Sequence, residues 1–387
     1  MKIIYIHQYF LTQEEGGAIR SFYISQALKE KGHDVHIITA HNKSYSEVKQ
    51  IEGTTVYYLP VEYDNAFGFF KRIVAFLSFT WKAYSTCKTI KRVDVVYASS
   101  TPLTVGLIAL ALRKVQGIPY VFEVRDLWPE APIQLGFLNN PVLQFIAKVL
   151  EKSIYNNADR IVTLSPGMEE GVKTVSQTPV VVVPNMSDCD FFTPRSMPPM
   201  SPIVITYLGA VGKVNLMDSF IDLAQYAALR FPQHYTFVLA GKGSELDRLK
   251  ANALELNNVV FKGHLNKEEV KNLLGQSHVS YISFGPEQIL ETNSPNKFFD
   301  SIAMGKLCVI TTKGWIKELI EKNRIGFYYA CEDPEKFFAR LEPLSNTSSL
   351  EAISTRARAL AVHDFEKHKL CQEVIAVIEK TGSNKSA

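Results

Sequence analysis

The residues best placed to do chemistry lie in one run, Ser294-Pro295-Asn296-Lys297-Phe298-Phe299-Asp300-Ser301-Ile302-Ala303-Met304-Gly305-Lys306. A serine followed by a proline predicts a helix start, with Ser294 as N-cap and Pro295 as the first helical residue. Phe298, Phe299, Ile302 and Ala303 then recur at helical spacing and predict a buried face. Lys297 falls in the first turn, where the helix dipole disfavours a cation by roughly a few tenths of a kcal/mol. That placement suits an anion bound at the same helix end. Asp300, three positions on, shares its face and is placed to accept hydrogen bonds from sugar hydroxyls. A surface Lys–Asp pair is the simpler reading of the same spacing.

Three glycine turns stand at expected strand ends: Gly16-Gly17 before a helix, Gly209-Ala210-Val211-Gly212-Lys213, and Gly241-Lys242-Gly243. Glycine lets a backbone approach a phosphate closely, and a helix N-terminus offers free N–H groups to it. None of the three has the G-x-G-x-x-G spacing of a dehydrogenase. The second is too short for a P-loop, with Val214 where Ser or Thr belongs.

The elements that must position these residues follow from apolar patterning. Short β-branched runs at 2–7, 35–39, 56–59, 93–98, 120–124, 160–164 and 180–183 alternate with amphipathic segments, among them a helix over 16–31. The alternation lapses at 193–202, a Pro/Ser/Met-rich stretch that reads as a linker. It restarts with strands at 203–208, 235–240, 259–262, 279–283 and 307–311. We expect an α/β fold of two doubly wound, Rossmann-like domains facing across a cleft. The first covers 1–195 and is rejoined by a returning C-terminal helix within 365–387. The second, covering 202–364, binds the nucleotide. A length of 387 residues accommodates both domains. The charge of +3 is too small to argue for nucleic acid. Five cysteines without a C-x-x-C pair point to neither a disulfide framework nor a zinc site, and suit a reducing cytosol. The N-terminus lacks the pattern of a signal peptide, and no apolar run is long enough to span a membrane.

The layout resembles glycosyltransferase family 4, the retaining GT-B enzymes, along nearly the whole chain. Their signature has two acids eight positions apart, the second leading into an Ala-Met-Ala-x-Gly helix. Asp300 takes the second position here, ahead of Ser301-Ile302-Ala303-Met304-Gly305, while the first falls on Thr292 beside Glu291. The resemblance implies Asp300 on the donor ribose and Gly16-Gly17 beneath the donor diphosphate. It also implies that Phe261-Lys262-Gly263-His264-Leu265 presents Gly263 and Leu265 to the base. Val183-Pro184-Asn185-Met186-Ser187-Asp188, with Phe192 and Pro194, resembles the family's end to its first domain. The Arg and Lys that bind diphosphate in the family fall on Ala210 and about Leu216. Lys213 and Lys297 are the substitutes, with Gly209, Ser294, Pro295 and Asn296 around the phosphates.

Phe122-Glu123-Val124-Arg125-Asp126-Leu127-Trp128-Pro129-Glu130, after Ala98-Ser99-Ser100-Thr101-Pro102, resembles the bacterial branch that adds N-acetylated deoxy-aminosugars in O-antigen and capsule assembly. This implies a UDP-sugar donor, a polyprenyl-diphosphate-linked glycan acceptor, no further cofactor and no metal. Asp126 and Lys297 are the expected catalytic residues, with Glu130 behind them; Arg125 and Trp128 form the acceptor wall. A structural Arg125–Asp126 pair is the bland alternative. The aromatic and basic segment 67–82, continued by Lys88, Lys91 and Arg92, suits an anionic membrane surface. A cytoplasmic enzyme, peripheral on the inner face of the membrane, follows. The rival readings are a sugar-nucleotide 2-epimerase of GT-B fold and a non-catalytic sugar-nucleotide or glycan-binding subunit.

Overall fold

The computed structural model describes the chain except Glu14, Gly16, Gly17, Ala18, Asn65, Ala66, Arg195, residues 384–387 and the side chain of Phe69. The described residues form two compact units. The first holds Met1–Gln13, the stretch up to Pro184 and, from His368, the last helix; the second holds Asn185–Lys367.

The first unit carries β1 (Lys2–Ile6), β2 (Asp34–His41), β3 (Glu47–Ile51), β4 (Thr54–Pro60), β5 (Val95–Ser99), β6 (Tyr120–Val124), β7 (Arg160–Thr163) and β8 (Val180–Val182). They form one sheet in the order β3-β4-β2-β1-β5-β6-β7-β8. β1, β5 and β6 are buried almost throughout, as strands covered on both faces must be. β3 is the departure from the expected parallel pattern: it pairs antiparallel with β4 at the sheet edge. Glu52 and Gly53 join the two strands, both with positive φ, the conformation of a tight hairpin turn.

The second unit carries β9 (Ile203–Leu208), β10 (Tyr235–Ala240), β11 (Val259–Gly263), β12 (Val279–Ile282), β13 (Leu307–Ile310) and β14 (Gly326–Tyr328). Its sheet is parallel throughout, in the order β11-β10-β9-β12-β13-β14. In each sheet the order reverses once, between β1 and β5 and between β9 and β12. Ligands of such sheets bind at the carboxyl ends of the strands at that reversal.

The division falls at Pro184, ahead of the boundary expected near 195. The intervening residues are tied into the second unit. Arg358 donates to the carbonyls of Cys189, Phe192 and Ala303, and Ser187 Oγ donates to Phe299 O. The last helix, Lys367–Ser383, buries Val374, Ile375 and Ile378. Its Glu379 accepts from His33 at 2.9 Å, within the first unit.

Candidate functional site

In the second unit, β9 ends at Gly209, whose φ of +130° favours glycine. A Cβ there would lie 3.0 Å from Lys297 Nζ, so the lysine side chain folds back over this turn. Its ammonium sits 4.1 Å from the Tyr207 ring centroid and 5.2 Å from that of Phe284. Among the described residues it makes no hydrogen bond or ion pair. Burial alone brings its pKa down to about 7. Asp300 is pushed up to about 7, chiefly by burial, with Lys267 opposing and Asp188 reinforcing the shift. The surface Lys–Asp pair that the spacing allowed is therefore not formed. The helix presents instead an unpaired cation and an unpaired acid.

The start of that helix differs from expectation. It runs Asn296–Ala303, one residue later, with Pro295 at the N-cap position and no side chain capping it. Ser294 is not the cap because its hydroxyl accepts from Asn185 N, and its carbonyl accepts from the Asn185 amide at 2.6 Å. Phe298, Phe299, Ile302 and Ala303 are buried as predicted. The helix is thus held from Asn185 and Ser187, and its leading N–H groups have no side-chain partner. That is the arrangement in which a helix end takes an anion.

Asp188, on the same anchoring segment, is bound by two lysines at 2.6 Å each, Lys267 and Lys367. Lys267 Nζ also lies 4.1 Å from the Phe191 ring centroid. It begins the helix Lys267–Gln276, two residues after Leu265, and its charge reaches Asp300. In this way the loop of Gly263 (φ +67°) and half-buried Leu265 is tied electrostatically to the acid expected on the ribose. Lys213 is exposed on the short turn Lys213–Asn215. Thr292 does not stand in for an acid, since its hydroxyl donates to Ile289 O and closes a 3-10 turn. Gly16 and Gly17 lie outside the described residues.

In the first unit, Arg125 and Asp126 follow the end of β6. They are not paired with each other: Asp126 accepts from Thr101 Oγ1 at 2.9 Å, and Arg125 Nη1 donates to His7 Nε2 at 3.1 Å. Burial raises the Asp126 pKa, against the Thr101 hydrogen bond and the charge of Arg125. Trp128 meets Phe76 edge-on at 6.4 Å. Glu130 heads the short helix Glu130–Gln134 and accepts from the Gln134 amide, a surface contact.

Sequence reasoning misses Glu123, which proves to be the electrostatic centre of this unit. It is fully buried within β6 and accepts from Arg20 Nε at 2.8 Å, Tyr97 OH at 2.7 Å and Ser99 Oγ at 2.5 Å. Against desolvation, the charges of Arg20 and Arg125 and these hydrogen bonds hold its pKa at about 2. Arg20 also donates to the carbonyls of Pro184 and Val183, the last residues of the unit before its closing helix. The signal was a lone carboxylate inside the apolar strand Tyr-Val-Phe-Glu-Val, which must be paired if it is to be buried.

The helix Phe69–Cys87 has no acidic residue. It exposes Phe70 (81%), Val74, Leu77 and Trp81 (74%), at spacings that place them along one stripe. Among the described residues, no helix is long and apolar enough to cross a membrane.

Residues 15–186 match the family model of a glycosyl transferase 4-like domain, and residues 202–347 that of glycosyl transferases group 1. The chain is 25% identical over 261 residues to the probable glycosyltransferase WbjE of Pseudomonas aeruginosa. That match covers 63% of this chain and 64% of WbjE, slightly under two thirds of that relative's length. A second relative is the catalogued human (Homo sapiens) component of phosphatidylinositol N-acetylglucosaminyltransferase, 24% identical over 361 residues, covering 88% of this chain and 69% of that one. Anabaena Alr3699/HepE, solved in complex with UDP-glucose, aligns with a TM-score of 0.71 at 15% identity, over 98% of this chain and 100% of that one. This last likeness is one of fold. Two Rossmann-like units, each matching one of the two family models, place the chain among the GT-B glycosyltransferases that join a glycosyl transferase 4-like domain to a glycosyl transferases group 1 domain.

Proposed function

We propose that this chain is a retaining, metal-independent transferase. It moves an N-acetylated hexosamine or deoxy-aminosugar from a UDP-sugar to a polyprenyl-diphosphate-linked glycan in O-antigen or capsule assembly. The observation that carries the reading is the unpaired Lys297 ammonium, folded over the Gly209 turn beside an uncapped helix start. A diphosphate supplies the negative charge that this end of the unit lacks. The UDP-glucose held by a protein of the same fold supports a UDP donor. WbjE and the phosphatidylinositol N-acetylglucosaminyltransferase component support glycan transfer and, in the second case, a lipid acceptor.

In this reading Lys297 and the helix N–H groups stabilise charge growing on the leaving diphosphate, preorganised before the bond breaks. The leaving phosphate takes the proton of the acceptor hydroxyl on the same face, so few protein acid–base groups are needed. Asp300 accepts from the ribose, with Gly263 and Leu265 at the base. Asp126, held by Thr101, orients a sugar hydroxyl, with Arg125 and Trp128 along the acceptor and Glu130 behind them. The exposed Phe70–Trp81 stripe rests on the anionic inner face of the cytoplasmic membrane, where the acceptor's lipid lies.

The test is transfer from a panel of UDP- and GDP-sugars to a polyprenyl-diphosphate-linked acceptor, with anomeric configuration read by NMR and EDTA in a parallel arm. Retention, UDP preference and indifference to EDTA are expected. Lys297→Ala lowers kcat tenfold or more, and near-normal turnover removes it from the site. Conversion of the nucleotide sugar alone to an epimer, or binding without transfer or hydrolysis, would overturn the transferase reading in favour of one of its rivals.

A further inference from the structure

The neutral histidine behind Arg125 has a role the reaction scheme does not use. His7 follows β1, is buried, and touches two groups: Ser21 Oγ at 2.6 Å through Nδ1 and Arg125 Nη1 at 3.1 Å through Nε2. A guanidinium can only donate, so Nε2 must be the accepting nitrogen and Nδ1 must carry the proton, donating to Ser21. Burial, reinforced by the charge of Arg125, brings the His7 pKa down to about 3 and keeps the ring neutral. His7 therefore offers a single acceptor, and Arg125 occupies it.

Arg125 itself lacks a carboxylate in contact. Glu123 is satisfied by Arg20, Tyr97 and Ser99, and Asp126 by Thr101. Arg125 also donates its backbone N–H to Ser100 Oγ, which fixes the chain at the strand end. Among the described residues its Nη2 and Nε make no hydrogen bond. The result is a half-buried guanidinium at the carboxyl end of β6, braced on one nitrogen by a neutral ring, with its other donors free. A neutral brace aligns the fork without cancelling its charge, which suits a planar, two-point grip on a phosphate.

We propose that Arg125 is a phosphate-binding group of the first unit and that His7 is the residue that positions it. Resting on the transferase reading, the phosphate belongs either to the lipid-linked acceptor's diphosphate or to the donor's.

Calorimetric titration of the full chain with inorganic pyrophosphate, at saturating UDP, tests this without turnover. Wild type is expected to bind. Arg125→Gln weakens binding at least tenfold, and Arg125→Lys keeps part of it. His7→Phe weakens it similarly, whereas His7→Gln, which restores an acceptor facing Arg125, recovers most of it. That rescue separates positioning from a merely structural role, and thermal melting of each variant checks the fold. If UDP blocks pyrophosphate in wild type and Arg125→Gln weakens UDP itself, the phosphate is the donor's. If pyrophosphate and UDP bind wild type and Arg125→Gln alike, the proposal is overturned. With acceptors, Arg125→Gln should raise KM tenfold or more for a diphosphate-bearing acceptor and not for a phosphate-free glycan. An equal loss on both also overturns it. The pyrophosphate arm stands even if no transfer is observed, so failure here is distinguishable from failure of the transferase reading.

Discussion

Lys297 and Asp300 predict an unusual dependence of stability on pH. Asp300 has its pKa raised from 3.8 to about 7. Its folded state then holds a proton that the unfolded chain releases, and the stability this gives is complete below about pH 3.8 and lost as pH rises through 7. Lys297 has its pKa lowered from 10.5 to about 7. Its stability is complete above about pH 10.5 and lost as pH falls through 7. The two windows meet, so the site contributes a minimum near neutrality. At about 1.36 kcal/mol per pH unit, the limits are roughly 4.4 kcal/mol for Asp300 and 4.8 for Lys297. Both side chains are only half-buried. Solvent screening reduces each to about 1–2 kcal/mol.

The assay follows the second unit alone. Of the three tryptophans, Trp315 lies in that unit, bonded to Asn293 O and packed near Phe299. With Trp81 and Trp128 replaced by Phe, urea unfolding read by fluorescence reports on the site's own surroundings. Lys297→Met/Asp300→Asn should be more stable than its parent by about 2–4 kcal/mol at pH 7, with the gap narrowing towards pH 4.5 and towards pH 10. Lys297→Met alone should remove only the slope above pH 7. UDP should fill in the minimum, and its binding at pH 8 should take up close to one proton as Lys297 charges. A gap between parent and double variant that stays constant from pH 5 to 10 would refute the reasoning.

Glu123→Gln should destabilise the first unit by about 3–5 kcal/mol, because Arg20 is left buried without its charge partner; thermal melting checks this. Since the Glu123 pKa is lowered to about 2, its stabilisation is present above about pH 4.5 and is lost only as pH falls towards 2, so acid melting above pH 5 should not depend on it. Gly209→Ala places a methyl 3.0 Å from Lys297 Nζ at a φ of +130°. It should raise the dissociation constant for UDP tenfold or more by calorimetry, at about 1–2 kcal/mol of stability. Phe70→Ser/Trp81→Ser should abolish flotation with anionic vesicles while leaving the melting temperature unchanged, because both side chains are exposed.

What could be read from the chain and what could not divide along sequence distance. Tyr120–Val124, Ile203–Leu208 and Tyr235–Ala240 are strands over the expected residues, because an apolar run bounded by polar residues is a local signal. The buried face of Asn296–Ala303 is local in the same way. β3 escaped because an edge strand reading Glu-Val-Lys-Gln-Ile buries little, and only the Glu52-Gly53 turn betrays it. Ser294 has the local form of a cap, yet its hydroxyl is taken by Asn185, 109 residues away. Glu123 is conspicuous in its strand, but Arg20, Tyr97 and Ser99 reach it from 103, 26 and 24 residues upstream. Lys297 and Asp300 make the strongest case. Three-residue spacing argues for a pair, and local reasoning cannot go further. The outcome is decided by the Tyr207–Gly209 turn, which draws the ammonium over a ring, and by Lys267 and Asp188, which act on the acid from other elements. Spacing shows where charge is placed along a helix; only the fold shows whether that charge is left for a ligand.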